Sequence, residues 1–384
     1  MIKILPIITA LLLTNNILAQ TNGPVVIPVV FHILSRDTNA SENISTAQIL
    51  SAIRILNQDY NNTNTDSAII APAYRNNVAN MGITFKLAGI DPNGFCTDGI
   101  DRIVTTQADS GGTKDGYVND WPREKYLNIW TYRRFPTEAA GQTWPPWYAL
   151  GIPAQDGIAI LNYYVGSIGT SSIGTSRALT NLTGEYFGLI PSWGSGAFGS
   201  CEDLDSVADT PPVSGPSSYY ISNCDTDILS CDGHSYINYQ NYMSYSYCIC
   251  MFTNGQKQRV YSYLNRSAAG RNNLWTTANL TATGTNDSVA VVCSPAGIQN
   301  ITENTLSVFP NPFNSQISIQ GLQAGNYNIA LTDITGRNLL TFNNIFTDGA
   351  GNATLNLSAI PIAGIYFIRI YNTTNIATLK IVKQ

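Results

Sequence analysis

Residues 178–191 read Ala178-Leu179-Thr180-Asn181-Leu182-Thr183-Gly184-Glu185-Tyr186-Phe187-Gly188-Leu189-Ile190-Pro191. We predict a helix over residues 177–189, in which Gly188 lets the chain turn near the end. Side chains four residues apart lie on one helix face, so Asn181 and Glu185 are expected to be neighbours. The polar groups on this face are therefore one amide and one carboxylate.

Predicted helices and strands lie on both sides of this helix. Residues 45–48 form a capping box ahead of apolar residues at helical spacing. Alternating Ile83, Phe85 and Leu87 predict a strand, and residues 127–132 predict another. Residues 137–150 are expected to be a loop, and residues 256–264 a closing helix.

Several segments between residues 24 and 264 resemble, in order, the pappalysin-type metallopeptidases (the cytophagalysin family of the metzincin clan). They include Val26-Ile27-Pro28-Val29-Val30-Phe31-His32-Ile33-Leu34, Gly99-Ile100-Asp101-Arg102, Asp156-Gly157-Ile158-Ala159-Ile160, Asn241-Tyr242-Met243-Ser244-Tyr245-Ser246 and Cys250-Met251-Phe252-Thr253-Asn254-Gly255-Gln256. The resemblance implies an α/β metzincin-like domain, a twisted mixed sheet with helices. It also implies that residues 178–191 correspond to a zinc motif of the HExxHxxGxxH type.

In that motif the chain keeps the two glycines, Gly184 and Gly188, and departs from the family at every reactive position. Where the family has three zinc-binding histidines and then the general-base glutamate, this chain has Asn181, Glu185, Pro191 and Leu182. By the same resemblance, Met243 stands at the methionine turn and Tyr245 at a tyrosine that steadies the oxyanion. Both are expected to keep packing roles.

A hydrolytic zinc site needs about three protein ligands and one open position for water. Asn181 is a weak neutral ligand, Pro191 has no ligand atom, and Leu182 cannot take a proton from water, a role worth ~10²–10⁴-fold in rate. The chain has two histidines, His32 on a predicted strand and His234 in a loop, and both are expected to be structural. We therefore predict no zinc and no hydrolysis.

Composition excludes some functions and places the chain outside the cell. Charged residues make up 12% of the 384 residues and the net charge is −5, which offers no basic surface for nucleic acid. Residues 1–19 read as a secretory signal peptide: an early lysine, an apolar run too short to span a bilayer and a small residue before the predicted cut.

The chain contains seven cysteines, which in an exported protein indicate disulfides. The family resemblance suggests the pairs Cys201–Cys231 and Cys224–Cys250. The remaining cysteines are Cys96, Cys248 and Cys293, and because seven is odd at least one is free or intermolecular.

An acidic loop after the helix is a candidate calcium site. It contains Glu202, Asp203, Asp205 and Asp209. Calcium takes ~6–8 oxygen ligands, of which this loop could supply several. The family resemblance implies a possible calcium site here, with Asp209 and Thr210 as contributors; the alternative is an ordinary acidic loop braced by Cys201.

From residue 265 to 305 the composition indicates a linker, and from residue 306 a new pattern begins. Strands are predicted at 317–319, 327–331, 353–357, 364–370 and 377–382, a spacing typical of a small all-β sandwich. Residues 306–384 resemble the C-terminal sorting domain of the type IX secretion system, on motifs that include Pro310, Asn311, Pro312 and Gly336. The resemblance implies the type IX secretion machinery as a partner and the outer cell surface, or the exterior, as the destination.

Three functional hypotheses follow. The first is a catalytically inactive pseudo-metallopeptidase that binds an extracellular protein, peptide or glycan, with the strand at 158–162 accepting an extended peptide and exposed aromatics such as Trp144, Trp147 and Tyr245 adding contacts. The second is an active zinc metalloendopeptidase with an atypical site in which Glu185 and other acids hold the metal. The third is a relict surface protein without a defined ligand.

Overall fold

The computed structural model describes residues 25–196, 199–215, 228–291, 306–322, 325–333, 338–347, 352–360, 362–371 and 376–384. The first domain has strands β1 (Val25–Ser35), β2 (Ile83–Leu87), β3 (Ile100–Val104), β4 (Leu127–Tyr132), β5 (Gly141–Thr143) and β6 (Ile158–Leu161). Its helices are α1 (Thr46–Tyr60), α2 (Pro146–Ala149), α3 (Ala178–Tyr186), α4 (Asn254–Leu264) and α5 (Thr277–Ala282). The predicted signal peptide, Cys224, Cys293 and Gly336 lie outside the described residues.

These strands form one mixed sheet in the order β2-β1-β4-β6-β5, with β3 also paired to β1. The pairs of β1 with β2, β3 and β4 and of β4 with β6 are parallel, whereas β5 is antiparallel to β6. The first strand is buried on both faces, as parallel strands covered by other elements are, and is accordingly a nearly continuous apolar run. The predicted α/β fold is therefore confirmed.

Edge strand β5 and helix α2 both lie in residues 137–150, which the sequence predicted as a loop. The three residues of β5 are too few for alternation to show, and Pro145 before α2 reads as a loop signal. Because β5 covers one side of β6, the predicted cleft strand at 158–162 is paired on both sides and cannot accept a further strand. On this side of the sheet the edge strand is β5.

The capping box predicted at residues 45–48 forms only in part. Ser45 accepts a hydrogen bond from the Gln48 main chain, as predicted. The Gln48 side chain instead turns into the protein and donates to the carbonyls of Asn162 and Val165. A complete capping box begins α4, between Thr253 and Gln256. Tertiary partners outcompeted the local one at the first helix.

The linker predicted from residue 265 begins later than its composition indicated. Residues 265–285 pack on the first domain, where they form α5 and bury Leu274 completely. Arg271 is also fully buried, and its guanidinium makes two hydrogen bonds of 2.6 and 3.0 Å to the buried carboxylate of Asp156. Its cation lies 3.7 Å from the centroid of the Tyr186 ring. Buried contacts with distant residues leave no trace in local composition.

The C-terminal residues form two antiparallel sheets around a separate apolar core, as predicted for a small sandwich. The strands are β7 (Ser307–Phe309), β8 (Gln316–Gln320), β9 (Gly325–Asp333), β10 (Asn338–Thr347), β11 (Ala353–Asn356), β12 (Gly364–Tyr371) and β13 (Ile376–Lys383). The five predicted strands are present as β8, β9, β11, β12 and β13. No helix in the described part of the chain is long and apolar enough to cross a bilayer.

Two features of this domain depend on pairing between distant residues. The side chain of Asn311 accepts from the Val382 main chain at 2.8 Å and donates to the Lys380 carbonyl at 3.1 Å, so the motif that opens the domain is bound to its last strand.

Strand β10 was not predicted from the sequence. Register shifts between Asn338 and Leu340 and between Phe342 and Ile345 break the two-residue period on which strand prediction depends.

We expect Arg271→Met to destabilise the first domain by about 3 kcal/mol, because it leaves the buried Asp156 carboxylate short of its main partner. Arg123, 3.6 Å from Asp156, keeps the loss at the lower end of the usual range. The shift is measured by urea unfolding of the full chain. All six tryptophans precede residue 306, so tryptophan fluorescence reports this domain.

The matched control is Arg54→Met, since Arg54 is exposed on α1. Equal shifts in the two variants would show that the Arg271–Asp156 pair does not hold the segment to the domain.

Candidate functional site

Helix α3 is held by a buried carboxylate, that of Asp59 on α1. Asp59 accepts hydrogen bonds from the hydroxyls of Thr180 and Tyr242, each at 2.7 Å. The guanidinium of Arg177 lies 3.4 Å away. Burial raises the pKa of Asp59 against the opposing effect of Arg177. One carboxylate thus joins α1, α3 and the segment that contains Met243.

Sequence reasoning missed Arg177, which begins this helix. Its guanidinium also binds Asp66, 111 residues away in the chain, and donates to the Ile249 carbonyl at 2.6 Å. It lies 5.5 Å from the centroid of the Tyr242 ring. None of these partners is near it in sequence, so no local pattern could have identified its role.

Asn181, the first degenerate position, is committed to the protein's own backbone. The side chain is 6% exposed, and its Nδ2 donates to the main-chain carbonyl of Tyr242 at 2.7 Å. This bond joins the middle of α3 to the residue before Met243.

Leu182 and Glu185 occupy the next two degenerate positions. Leu182 is buried in the core, and its Cδ1 lies 2.5 Å from where a side chain on Gly141 would begin. Glu185 is partly buried and has no hydrogen-bond or ion-pair partner within the described residues. Lost solvation raises the pKa of Glu185 to about 7, so near neutrality much of it is uncharged.

The turn after α3 keeps the geometry that the two glycines allow. Gly188 has φ of +89°, and the main-chain N–H groups of Gly188 and Leu189 donate to the carbonyls of Glu185 and Gly184. This is a Schellman ending of a helix, which needs glycine at the left-handed position. The turn delivers the chain to Pro191, which presents only carbon atoms where a ligand would be needed.

Met243 and Tyr245 keep their places beside the helix. Met243 is fully buried, and its Sδ lies 2.6 Å from where a side chain on Gly184 would begin, so this glycine allows the close approach. Tyr245 is 46% exposed and packs edge-on against Trp193, with ring centroids 4.5 Å apart. Met243 is thus part of the core, whereas Tyr245 lies at the surface beside Trp193.

A cleft of about 540 Å³ lies between α3, the residues leading into β5 and the segment after Met243. Asn181 and Leu182 line it together with Gly141, Tyr245 and Gly174. The charged side chains at its wall are those of Glu138 and Arg177. The structure therefore brings two of the four degenerate positions to one cleft, with a wall that is largely aromatic and small.

The residues present do not fit a zinc ion. The Asn181 amide is used by a backbone carbonyl, Leu182 and Pro191 offer no donor, and Glu185 favours its protonated form below about pH 7. Metal ligands must be deprotonated and several must converge. Within the described ranges, no three histidine, cysteine, aspartate or glutamate side chains are grouped to hold a metal.

The acidic loop uses its oxygens internally. Asp209 accepts from the Thr253 hydroxyl at 2.6 Å and from the Gly255 main chain at 2.8 Å, so it caps α4. Thr210 donates to Asp205 at 2.6 Å, and burial raises the pKa of Asp205 to about 6. Calcium binding at Asp209 and Thr210 remains a prediction.

The structure confirms one of the two predicted disulfides and contradicts the other. Cys201 and Cys231 form a disulfide, as the resemblance suggested. The predicted bond to Cys250 is wrong, because Cys250 is a free, buried thiol whose pKa burial raises to about 12. Cys96 and Cys248 are each disulfide-bonded, although both were left over in the prediction. Cys248 and Cys250 are two residues apart, so spacing alone could not choose between them.

His32 lies outside the cleft in a closed set of polar contacts. It is fully buried, with Nε2 2.9 Å from Asn128 Oδ1 and Nδ1 3.0 Å from Asp101 Oδ2. It stacks on Trp130, with centroids 5.1 Å apart. His234 is exposed in a turn that Asp232 braces. The structure does not bring either histidine to the cleft.

Comparison with known families identifies both domains. Residues 93–265 match the peptidase M43 family, described as pregnancy-associated plasma protein-A. Residues 307–384 match the secretion system C-terminal sorting domain. The chain is 27% identical over 253 residues to an extracellular metalloprotease of Colletotrichum graminicola, covering 64% of this chain and 78% of the relative. An extracellular metalloprotease of Sordaria macrospora is 28% identical over 247 residues, covering 63% and 75%.

Solved structures agree with these matches. Mature mirolysin of Tannerella forsythia, in complex with a cleaved peptide, is 31% identical, with a TM-score of 0.60 over 67% of this chain and 97% of that one. Promirolysin of the same organism is also 31% identical, with a TM-score of 0.61 over 67% and 86%.

We expect Glu185→Gln to stabilise the protein at pH 8 and to have little effect at pH 4. With a folded pKa of about 7 against a usual 4.5, folded Glu185 binds more protons than unfolded Glu185 between those values, so its contribution to stability falls as pH rises through that window. The full shift corresponds to ~3 kcal/mol, and partial exposure reduces the expected gain to about 1–2 kcal/mol.

Urea midpoints at the two pH values measure this gain. Glu202→Gln is the control, because Glu202 is exposed in the following loop. A gain that is the same at pH 4 and pH 8 would contradict the assignment of a buried, nearly neutral Glu185.

Proposed function

Because this chain belongs to the peptidase M43 (pappalysin) family and ends in a type IX secretion sorting domain, we propose that it is a catalytically inactive member that binds an extended polypeptide without cleaving it. The sorting domain and the extracellular metalloprotease relatives establish secretion to the cell surface. The proposal concerns what the protein does there.

The proposed inactivity rests on the side chains that α3 and the turn after it present where a metal and a general base would be needed. A peptidase of this type needs three ligands to hold zinc and a base to activate water. Here the Asn181 amide is bound to the Tyr242 carbonyl, and the remaining positions are a leucine, a proline and an unpaired carboxyl. Two requirements, metal retention and proton abstraction, are missing independently. Supplying one of them would not restore hydrolysis.

The cleft itself is still suited to a polypeptide. In the antiparallel β5–β6 pair, the Leu161 main chain donates a hydrogen bond to the Ala140 carbonyl. Along an antiparallel pair, hydrogen-bonded residues alternate with residues whose main-chain groups point away from the partner strand. The N–H and C=O groups of the next residue, Gly141, therefore point away from β6. Gly141 also lines the cleft. An extended segment could therefore add to this edge through main-chain hydrogen bonds, which need no particular side chains.

Two further observations favour a polypeptide ligand. Aromatic residues at the cleft, among them Tyr164, Tyr245 and Tyr247, offer rigid contact area of the kind enriched in binding hot spots. The related mirolysin was solved with a cleaved peptide. The same scaffold without its reagents would hold a peptide and release it unchanged.

We expect the chain purified without residues 1–19 to retain far less than one equivalent of zinc after a zinc soak and wash, as measured by elemental mass spectrometry. It should also fail to degrade unfolded casein. The combined variant Asn181→His, Leu182→Glu, Glu185→His and Pro191→His should bind about one equivalent, because it restores three ligands on the existing turn.

Asn181→His alone is the control and should not bind zinc stoichiometrically, since one histidine is too few. Tryptophan fluorescence checks that each variant is folded. Stoichiometric zinc or casein cleavage with the natural sequence would overturn the proposed inactivity.

We expect Gly174→Trp to weaken peptide binding by about tenfold or more, because it puts a bulky side chain into the cleft. A side chain there is tolerated by the fold, since its first atom would come no closer than 3.9 Å to a neighbour. Peptides retained from a random decapeptide library would be measured by fluorescence anisotropy.

Gly364→Trp is the matched control, because Gly364 begins β12 in the sorting domain and has equally open surroundings. Equal affinity of both variants would place the peptide outside the cleft. Retention of no peptide by the natural chain would refute the binding role.

A further inference from the structure

Beyond the cleft, the surface carries a group of aromatic and arginine side chains from α2 and from α4 with the turn after it. It comprises Trp147, Tyr148, Arg259, Tyr263 and Arg266, and we refer to it as the aromatic–arginine patch. Trp147 is 44% exposed and Tyr148 is 53% exposed. Exposed aromatic rings beside arginines are typical of binding hot spots rather than of an inert surface.

Four members of the patch, Trp147, Arg259, Tyr263 and Arg266, are connected by ring and cation contacts. The rings of Trp147 and Tyr263 lie 5.4 Å apart. The guanidinium of Arg259 lies 5.9 Å from the Trp147 centroid and 5.5 Å from that of Tyr263. The guanidinium of Arg266 lies 4.6 Å from the Tyr263 centroid. Stacking of this kind holds each cation in place and leaves its terminal N–H groups available to a ligand.

Neither arginine of the patch has a carboxylate partner among the described residues. Arg177 and Arg271, by contrast, each bind one or more aspartates. The charge of Arg259 lowers the pKa of Asp205 against the larger, raising effect of burial, but the two groups form no ion pair and Asp205 accepts its hydrogen bond from Thr210. Because neither arginine has a carboxylate partner among the described residues, the patch carries local positive charge that attracts an anion.

The patch is built on the end of the degenerate helix. Arg259 Nε donates to the Gly188 carbonyl at 2.7 Å. The Tyr263 ring fills the space over Gly188, where a side chain would begin 2.4 Å from the ring. The cleft lies against the first half of α3, at Asn181 and Leu182. From Asn181 to Gly188 the helix rises about 10 Å, which an extended peptide covers in about three residues.

The edge strand connects the same two places. Gly141 lines the cleft, and β5 leads through Trp144 and Pro145 directly into α2, which carries Trp147. A peptide that pairs antiparallel to β5 has its N-terminal end at the Thr143 end of that strand. Its N-terminal portion would therefore pass toward the patch.

We propose that the aromatic–arginine patch binds acidic side chains on the N-terminal side of a polypeptide held in the cleft, and so selects acidic ligands. The inference rests on the proposed binding function and adds the class of ligand. Arginine presents paired N–H donors that match a carboxylate, and the rings of Trp147 and Tyr263 cover the aliphatic part of the same side chain. A neutral amide of the same shape accepts weaker hydrogen bonds and carries no charge.

The test begins with a random decapeptide library applied to the natural full chain and to Arg259→Gln/Arg266→Gln. Retained peptides are identified by mass spectrometry. We expect aspartate and glutamate to be enriched in the N-terminal third of the peptides retained by the natural chain and not by the variant. Arg54→Gln, on the exposed face of α1, is the control and should leave the enrichment unchanged.

Affinities then follow from fluorescence anisotropy of one enriched peptide and its Asp→Asn counterpart. For the acidic peptide, the double variant should bind about tenfold more weakly, and added salt should weaken binding to the natural chain. The Asn counterpart should bind both proteins alike. Tryptophan fluorescence confirms that the variants are folded.

The possible negative results separate a failure of the patch proposal from a failure of the proposed peptide binding. Peptides retained without acidic enrichment, or with enrichment that survives the double variant, would overturn the role of the patch and leave the binding function standing. Retention of no peptide would overturn both. Binding of polygalacturonate that depends on Arg259 and Arg266, without any acidic preference among peptides, would make the patch a glycan site and refute the proposal.

Discussion

Asp59 is the group on which the arrangement of the first domain depends. Its carboxylate lies out of water between α1, α3 and the segment around Met243, and it accepts hydrogen bonds from Thr180 and Tyr242 with Arg177 close by. A buried carboxylate is costly unless such partners surround it, so the three elements are held in one relative position. That position sets the shape of the cleft beside α3.

The hydrogen bond from Asn181 to the Tyr242 carbonyl also holds α3 against the segment around Met243. Where a zinc site joins protein elements through the metal, this helix is joined to the neighbouring segment by an amide. The close approach of Met243 to Gly184 and the left-handed turn at Gly188 supply the rest of the packing. Loss of the reactive side chains therefore leaves the framework intact, since different groups carry structure and chemistry.

Sequence reasoning succeeded where the signal is local and periodic. The strands at 83–87 and 127–132 and five strands of the sorting domain follow from apolar spacing, and the helix around 178–186 follows from the family resemblance of its segment. It failed where a distant partner decides the outcome. The Gln48 side chain binds the carbonyls of Asn162 and Val165 and not the helix N-terminus that it was predicted to cap. The first part of the predicted linker packs on the domain, where Arg271 binds Asp156. Strand β10 escaped because its bulges disturb the period.

By itself the sequence determined the family, the two-domain order and the identity of the residues at the reactive positions, because these depend on which side chains follow one another along the chain. The tertiary structure decided which strand forms the edge beside the cleft, which group the Asn181 side chain binds, and that Cys250 rather than Cys248 is free. It also brought Arg259 and Arg266, which have no carboxylate partner among the described residues, to the rings of Trp147 and Tyr263. Each of these outcomes is a contact between residues far apart in the chain. Such contacts are set by burial and charge in the folded molecule, which no local pattern encodes.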